Sequence, residues 1–175
     1  MITYEIISKE SEENLQLPNE PFEIFGQLIV TRSENEWAYE TKLFDQTDFM
    51  VFPAENYSFD AIDEKGFAIG AYMSEKCVGL AIFEYSWNNT IYLMDLKVTK
   101  NYRRKGIAHR LIHAGKERAK ELNFKGIYTI AQDNNLSACQ LYLKNGFSIG
   151  GFNTMDYRHT AQKDKADIYF YQDFE

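Results

Sequence analysis

The sequence predicts one mixed α/β domain. From residue 66 onward the chain alternates strand-like and helix-like stretches, and the first 64 residues add two strand-like runs around a polar turn. No internal repeat or low-complexity linker interrupts the 175 residues, a length that suits a single domain with its own core.

In chain order, Glu20 to Thr31 and Glu36 to Phe44 read as two strands joined around Ser33, Glu34 and Asn35. Phe49 to Asp63 is aromatic and acidic, without a clear period. Phe67 to Met73 and Cys77 to Tyr85 are strand-like and joined by a turn at Ser74 to Lys76. A second turn at Trp87 to Asn89 leads into a strand from Thr90 to Val98. Ile107, Leu111, Ala114, Ala119 and Leu122 recur at helical spacing, so 107 to 122 reads as a helix that Asn123 ends. A strand at Lys125 to Ala131, a helix at Leu136 to Asn145 and strands near Phe147 to Phe152 and Ala166 to Phe174 complete the chain. Gly146 stands where a helix end needs a left-handed residue, with Phe147 placed to fold back on the last turn.

Composition narrows the class. Hydrophobic residues make up 45%, with 13 Phe and 12 Tyr, which is not the composition of a disordered chain. No apolar run approaches the ~18 residues of a membrane span, and the N-terminus lacks the basic flank and apolar run of a signal peptide. Cys77 and Cys139 do not make a disulfide framework; read as buried thiols, they point to a reducing compartment, the cytoplasm. The net charge of -7 is unevenly spread: residues 1–64 carry fifteen acids against three bases, and residues 65–175 carry sixteen bases against eleven acids. Lys97, Lys100, Arg103, Arg104 and Lys105 form a compact basic cluster, suited to an anion or simply to solvation. The cluster is short and the chain acidic, which argues against nucleic acid as a partner. His109 and His113 stand one helical turn apart but lack a third ligand and the Glu of a zinc-protease motif, so no metal is expected.

Two segments carry chemistry. Arg103 to Ala108 follows a strand directly and opens the long helix. Amides in a first helical turn have no intrahelical acceptor, and the helix dipole favours an anion there. Gly106 lets backbone approach a ligand, and the Arg and Lys flanks add charge-assisted hydrogen bonds to phosphate oxygens. The loop matches neither the P-loop nor the dinucleotide fingerprint. The second segment runs from Gln132 through Asn135, Ala138 and Tyr142 to Gly146 and Phe147. Asn134 or Asn135 could simply cap the helix, and Tyr142 could simply be a core tyrosine.

Together the segments resemble the GNAT superfamily of acetyltransferases. Its cofactor loop, Arg/Gln-x-x-Gly-x-Gly/Ala, is matched by Arg103, Gly106 and Ala108, and its later helix motif by Asn135, Ala138, Tyr142, Gly146 and Phe147. The resemblance covers roughly residues 66 to 152, taken as the acetyl-CoA-binding core of a single domain over 1–175. It implies a mostly antiparallel twisted sheet with helices on both faces and acetyl-CoA held between splayed central strands. Pantetheine would pair with backbone at Leu96 and Val98, and the diphosphate would meet Arg103, Arg104, Lys105, Gly106, Ile107 and Ala108. Asn135 would hold the pantetheine, and the Tyr142 hydroxyl would stand near the sulfur. An alkyl ammonium is not nucleophilic at neutral pH and must lose a proton, while the departing thiolate must gain one. Tyr142 suits the second task as general acid; Asp95, or else Glu84, suits the first.

Pro21 to Ile29, Glu34 to Trp37, Gln132 to Leu136 and Gly146 to Gly150 look more narrowly like streptothricin acetyltransferases, which modify a β-lysine amine of a polycationic antibiotic and confer resistance. The acidic residues 1–64 would then help form the substrate site. These relatives carry Glu-Asp where this chain has Met94 and Asp95, which leaves Asp95 without a neighbouring acid. Trp37, Tyr39, Glu84, Trp87 and Asp156 are candidate walls for cationic groups, with the aromatics equally suited to a core. The competing readings are a GNAT enzyme for a polyamine, an aminoglycoside or a protein lysine, and an acetyl-CoA-binding sensor without catalysis. Neither membrane nor nucleic acid is expected as a partner, and the architecture is compatible with a homodimer.

Overall fold

The computed structural model describes residues 1–175. In chain order its elements are β1 (Ile2–Ile6), a 3-10 segment at Lys9–Gln16, β2 (Phe22–Ser33) and β3 (Glu36–Met50). Next come α1 (Phe59–Lys65), β4 (Gly66–Met73), β5 (Lys76–Tyr85), β6 (Thr90–Val98) and a 3-10 turn at Lys100–Tyr102. The rest are α2 (Ile107–Glu121), β7 (Gly126–Gln132), α3 (Leu136–Lys144), β8 (Ser148–Asn153) and β9 (Asp167–Asp173). Seven of the strands belong to one mostly antiparallel sheet, as the resemblance implied, and β2 and β3 form a separate two-stranded ribbon. No helix is long and apolar enough to cross a membrane.

The chain divides into two compact units, one of Met1–Glu20, Val51–Ile127 and Asp173–Glu175, the other of Pro21–Met50 and Tyr128–Gln172. In the first unit β1, β4, β5 and β6 lie side by side in that order, each pair antiparallel. One face of β5 carries Leu80 and Ile82 into a core with Ala68, Ile7, Leu15 and Ile62 of α1. On the other face Gly79 touches Ile107 and Leu111 of α2, and Gly115 of α2 sits directly on the Phe83 ring. Helical cover on both faces explains why β4 and β5 read as nearly unbroken apolar runs, without alternation. Between β5 and β6, Ile82 faces Asp95 while Phe83 faces Leu93, so Met94 is the extra residue of a β-bulge.

In the second unit β7, β9 and β8 are neighbours in that order, and β2 pairs with β3 from Phe22↔Met50 to Ser33↔Glu36. Helix α3 packs against β2, with the Leu136 side chain against Gly26. Gly146 takes φ +85°, the Phe147 amide donates to the Tyr142 carbonyl at 3.1 Å, and the two rings meet at 5.6 Å. The chain end folds back on α3 as the sequence predicts.

Four elements were not expected from the sequence: β1, the 3-10 segment at Lys9–Gln16, α1 inside the aromatic, acidic stretch, and the short 3-10 turn at Lys100–Tyr102. Strand β3 also continues past Phe44 to Met50. Helix α1 has seven residues, begins at Ser58, whose hydroxyl accepts from the Ala61 amide, and buries only Ile62. Two turns with a single buried anchor give no readable period. Long-range contacts hold these pieces, as when the Ile7 amide donates to the Ala68 carbonyl at 2.9 Å.

Candidate active site

The first unit contains the basic loop and the strand that leads into it. Arg103 donates through Nε to the Val98 carbonyl at 2.9 Å, which ties the loop to the end of β6. Glu20 accepts from the Lys100 amide at 2.5 Å and lies 3.9 Å from the Arg103 guanidinium. Arg104 adopts φ +63° and Gly106 φ +79°, a backbone that reverses the chain and starts α2 with no side-chain cap. No atom stands within 4 Å of where a Cβ would project from Gly106. The space beside Gly106 is therefore open, next to the exposed Arg104 and Lys105 and to the first-turn amides from Ile107 onward, which have no intrahelical acceptor. This uncapped positive helix end, fixed from behind by Arg103, has the donors and the room that a diphosphate requires.

On the same strand Asp95 is held in a network that the sequence does not announce. The Tyr57 hydroxyl donates to Asp95 Oδ2 at 2.9 Å, and Lys97 Nζ lies 3.0 Å from the same oxygen. Lys97 also reaches Glu55 Oε2 at 3.1 Å and donates to Asn19 Oδ1 at 2.9 Å, with the Tyr57 ring beneath it at 5.5 Å. Asn19 in turn donates to Glu55 at 2.9 Å. Asp95 is therefore not an isolated acid, and Lys97 does not serve the phosphate cluster to which its sequence position assigned it. Burial raises the Asp95 carboxyl above the ordinary Asp range; the Lys97 charge and hydrogen bond, and then Tyr57, pull it back, while Glu55 pushes it up again. Burial also works to raise Glu55, but its bonds to Asn19 and Lys97 outweigh burial and leave it low. Tyr57 is pushed far above the usual phenol range by burial and then by Asp95, so it stays a hydrogen-bond donor. Three of these four partners were missed because they lie far away in sequence. Lys97 was readable, since residues i and i+2 of a strand share a face.

In the second unit Asn135 caps α3, its side-chain oxygen accepting from the Ala138 amide at 3.3 Å. The cap uses the oxygen, and the side-chain NH2 is the group a pantetheine carbonyl could take. Tyr142 is 7% exposed, and its ring meets Phe147 and Phe170 at 5.6 and 5.5 Å. It is a core tyrosine by packing, whatever its hydroxyl does. Trp37 and Tyr39 of β3 border a cleft of about 470 Å3 with Leu143, Phe147 and Ile149. The Arg32 guanidinium sits over Trp37 at 4.9 Å. Asp156 is exposed in the segment after β8, its amide donating to Asn153 at 3.3 Å. Of the remaining substrate candidates, Glu84 is half-buried on β5 and Trp87 is 96% exposed in the turn before β6, both in the first unit. His109 and His113 border a cleft of about 360 Å3 with Tyr4 and Arg110, and no three His, Cys, Asp or Glu gather to hold a metal.

Residues 30–147 match the profile of the Acetyltransferase (GNAT) family. The chain belongs to the GNAT family. As a GNAT protein it is an N-acetyltransferase, and its relatives agree. It is 34% identical over 158 residues to streptothricin acetyltransferase A of Bacillus subtilis (strain 168), covering 90% of this chain and 91% of that one. A streptothricin acetyltransferase of Escherichia coli is 33% identical over 115 residues, 65% of this chain and 66% of that one. Among solved structures, a Bacillus anthracis protein provisionally assigned as a streptothricin acetyltransferase, in complex with acetyl coenzyme A, superposes with a TM-score of 0.89 at 26% identity. That match covers 99% of this GNAT chain and all of the other.

Proposed function

We propose that this N-acetyltransferase moves the acetyl group of acetyl-CoA onto an amine of streptothricin, on its β-lysine arm, and so inactivates the antibiotic. The observation that carries the substrate is the 34% identity, over nine-tenths of both chains, to the Bacillus subtilis streptothricin acetyltransferase A. The uncapped start of α2 supports the donor. There the amides of Ile107 and Ala108, with Arg103, Arg104 and Lys105, would take the diphosphate, with Gly106 leaving the approach open. Backbone at Leu96 and Val98 and the side chain of Asn135 would hold the pantetheine arm. Acetyl-CoA supplies an activated thioester carbonyl and a thiolate leaving group.

Asp95 orients the substrate ammonium and receives its proton, directly or through water. With Glu55 and Lys97 it makes a group of net charge -1 on a half-buried strand face, which favours a cation. Tyr142 returns a proton to the leaving sulfur as general acid. We read the compartment as the cytoplasm, where acetyl-CoA is at hand. The test is thiol release from acetyl-CoA with streptothricin, spermidine, an aminoglycoside and a lysine peptide as acceptors. Streptothricin should lead the others in kcat/KM by about 100-fold or more, the discrimination of a site with dedicated polar partners. Thiol release with spermidine but none with streptothricin would overturn the substrate.

A further inference from the structure

The Lys97 ammonium has three N–H bonds and three oxygen acceptors at 2.9 to 3.1 Å: Asn19 Oδ1, Asp95 Oδ2 and Glu55 Oε2. A ring face closes the cage at 5.5 Å, and the side chain is 10% exposed. A lysine so satisfied has no N–H left over for a substrate; its three donors are spent on the fold. Both of its neighbours' claims on Asp95 fall on one oxygen, since Tyr57 and Lys97 each contact Oδ2. Oδ1 is left to a further donor. We propose that Lys97 is a positioning residue, a built-in ammonium that holds Asp95 ionised inside the fold and reserves its second oxygen for the amine to be acetylated. The inference rests on the reading of Asp95 as the group that orients or deprotonates that amine.

The charges around Asp95 fix the direction of the effect. Lys97 lies on its own strand, Tyr57 and Glu55 come from the segment before α1, and Tyr92 stands further along β6. From β5 the residue opposite is the apolar Ile82, with Glu84 two positions on. Lys97 is the cation of this set. Without it, burial and Glu55 both favour the protonated carboxyl, so Asp95 keeps its proton to higher pH and the base is lost from the acid side.

The experiment compares pH profiles of kcat/KM for the wild type, Lys97→Met, Lys97→Arg and Tyr57→Phe, using the best acceptor from the thiol-release panel. Lys97→Met should lose about 10- to 100-fold at neutral pH, with its acid limb moved to higher pH and much of the loss regained there. Lys97→Arg should keep the limb near its wild-type position because the charge remains. Tyr57→Phe should raise the limb by less, having lost a hydrogen bond and no charge. Circular dichroism melts establish that each variant is folded. A limb that stays put while Lys97→Met loses rate equally at every pH would overturn the proposal, as would a fully active Lys97→Met. The Asp95 carboxyl carbon, followed by NMR titration, separates this outcome from a failure of the catalytic reading. It must titrate at higher pH in Lys97→Met even if Asp95→Asn proves active; an unmoved titration refutes the role of Lys97.

Discussion

Tyr142 shows how one residue can satisfy two demands whose mutational signatures differ. Its ring lies between Phe147 and Phe170 and is part of the core, so removing only the hydroxyl leaves that packing in place. A general acid, by contrast, is lost entirely with its proton. Tyr142→Phe should therefore melt within a few degrees of the wild type while kcat falls about 100-fold, the usual weight of a positioned acid. Steady-state kinetics beside a thermal melt reads both numbers. An unchanged kcat would make Tyr142 a core residue and nothing more. Asn135 has a similar double character, since the side chain that caps α3 is also the one proposed to meet pantetheine.

At the level of elements, α2 must lie flat on β5 for its first turn to stand where the loop from β6 delivers it, and Gly115 makes this possible. A Cβ there would come within 2.1 Å of the Phe83 ring, and that ring is fully buried and stacked on Phe67 at 5.0 Å. Gly115→Ala should cost about 1–3 kcal/mol through overpacking, or roughly 3–10 °C in Tm for a chain of this size. Gly79→Ala, whose Cβ would meet methyl groups at 3.1 to 3.3 Å, should cost less. Differential scanning calorimetry of both variants checks the order. The positions of α2 and of the turns at Gly146 and Asn123 were legible in the sequence, because capping chemistry and a sustained period are local signals. Helix α1 and strand β1 were not, since each is short and its register comes from partners far along the chain. The site divides in the same way. Asp95 lies on a strand the sequence marks, whereas Tyr57 reaches it from 38 positions away and Glu55 and Asn19 reach its neighbour Lys97 from 42 and 78 positions away, and nothing local in the sequence marks that pairing.

The whole chain is acidic, yet its two ligands on the proposed reading have opposite charge, which turns salt into a diagnostic of where charge acts. If net charge governed encounter, the total of -7 would attract a polycationic amine and repel acetyl-CoA. Added salt would then raise KM for the amine and lower it for acetyl-CoA. If local fields govern instead, the exposed Arg104 and Lys105 beside the start of α2 attract the diphosphate despite the net charge, and salt weakens both ligands. The fifteen acids of residues 1–64 and the net negative group around Asp95 make the amine response the same in either case, so acetyl-CoA decides. Raising salt from about 0.01 M to about 0.1 M shortens the screening length from about 30 Å to about 10 Å, still long compared with a direct contact. Over that range KM should rise several-fold for both ligands while kcat stays nearly level, because bound groups within hydrogen-bond distance are screened little. A fall in KM for acetyl-CoA would show that the net charge dominates and that the basic loop does not act as a local anion trap.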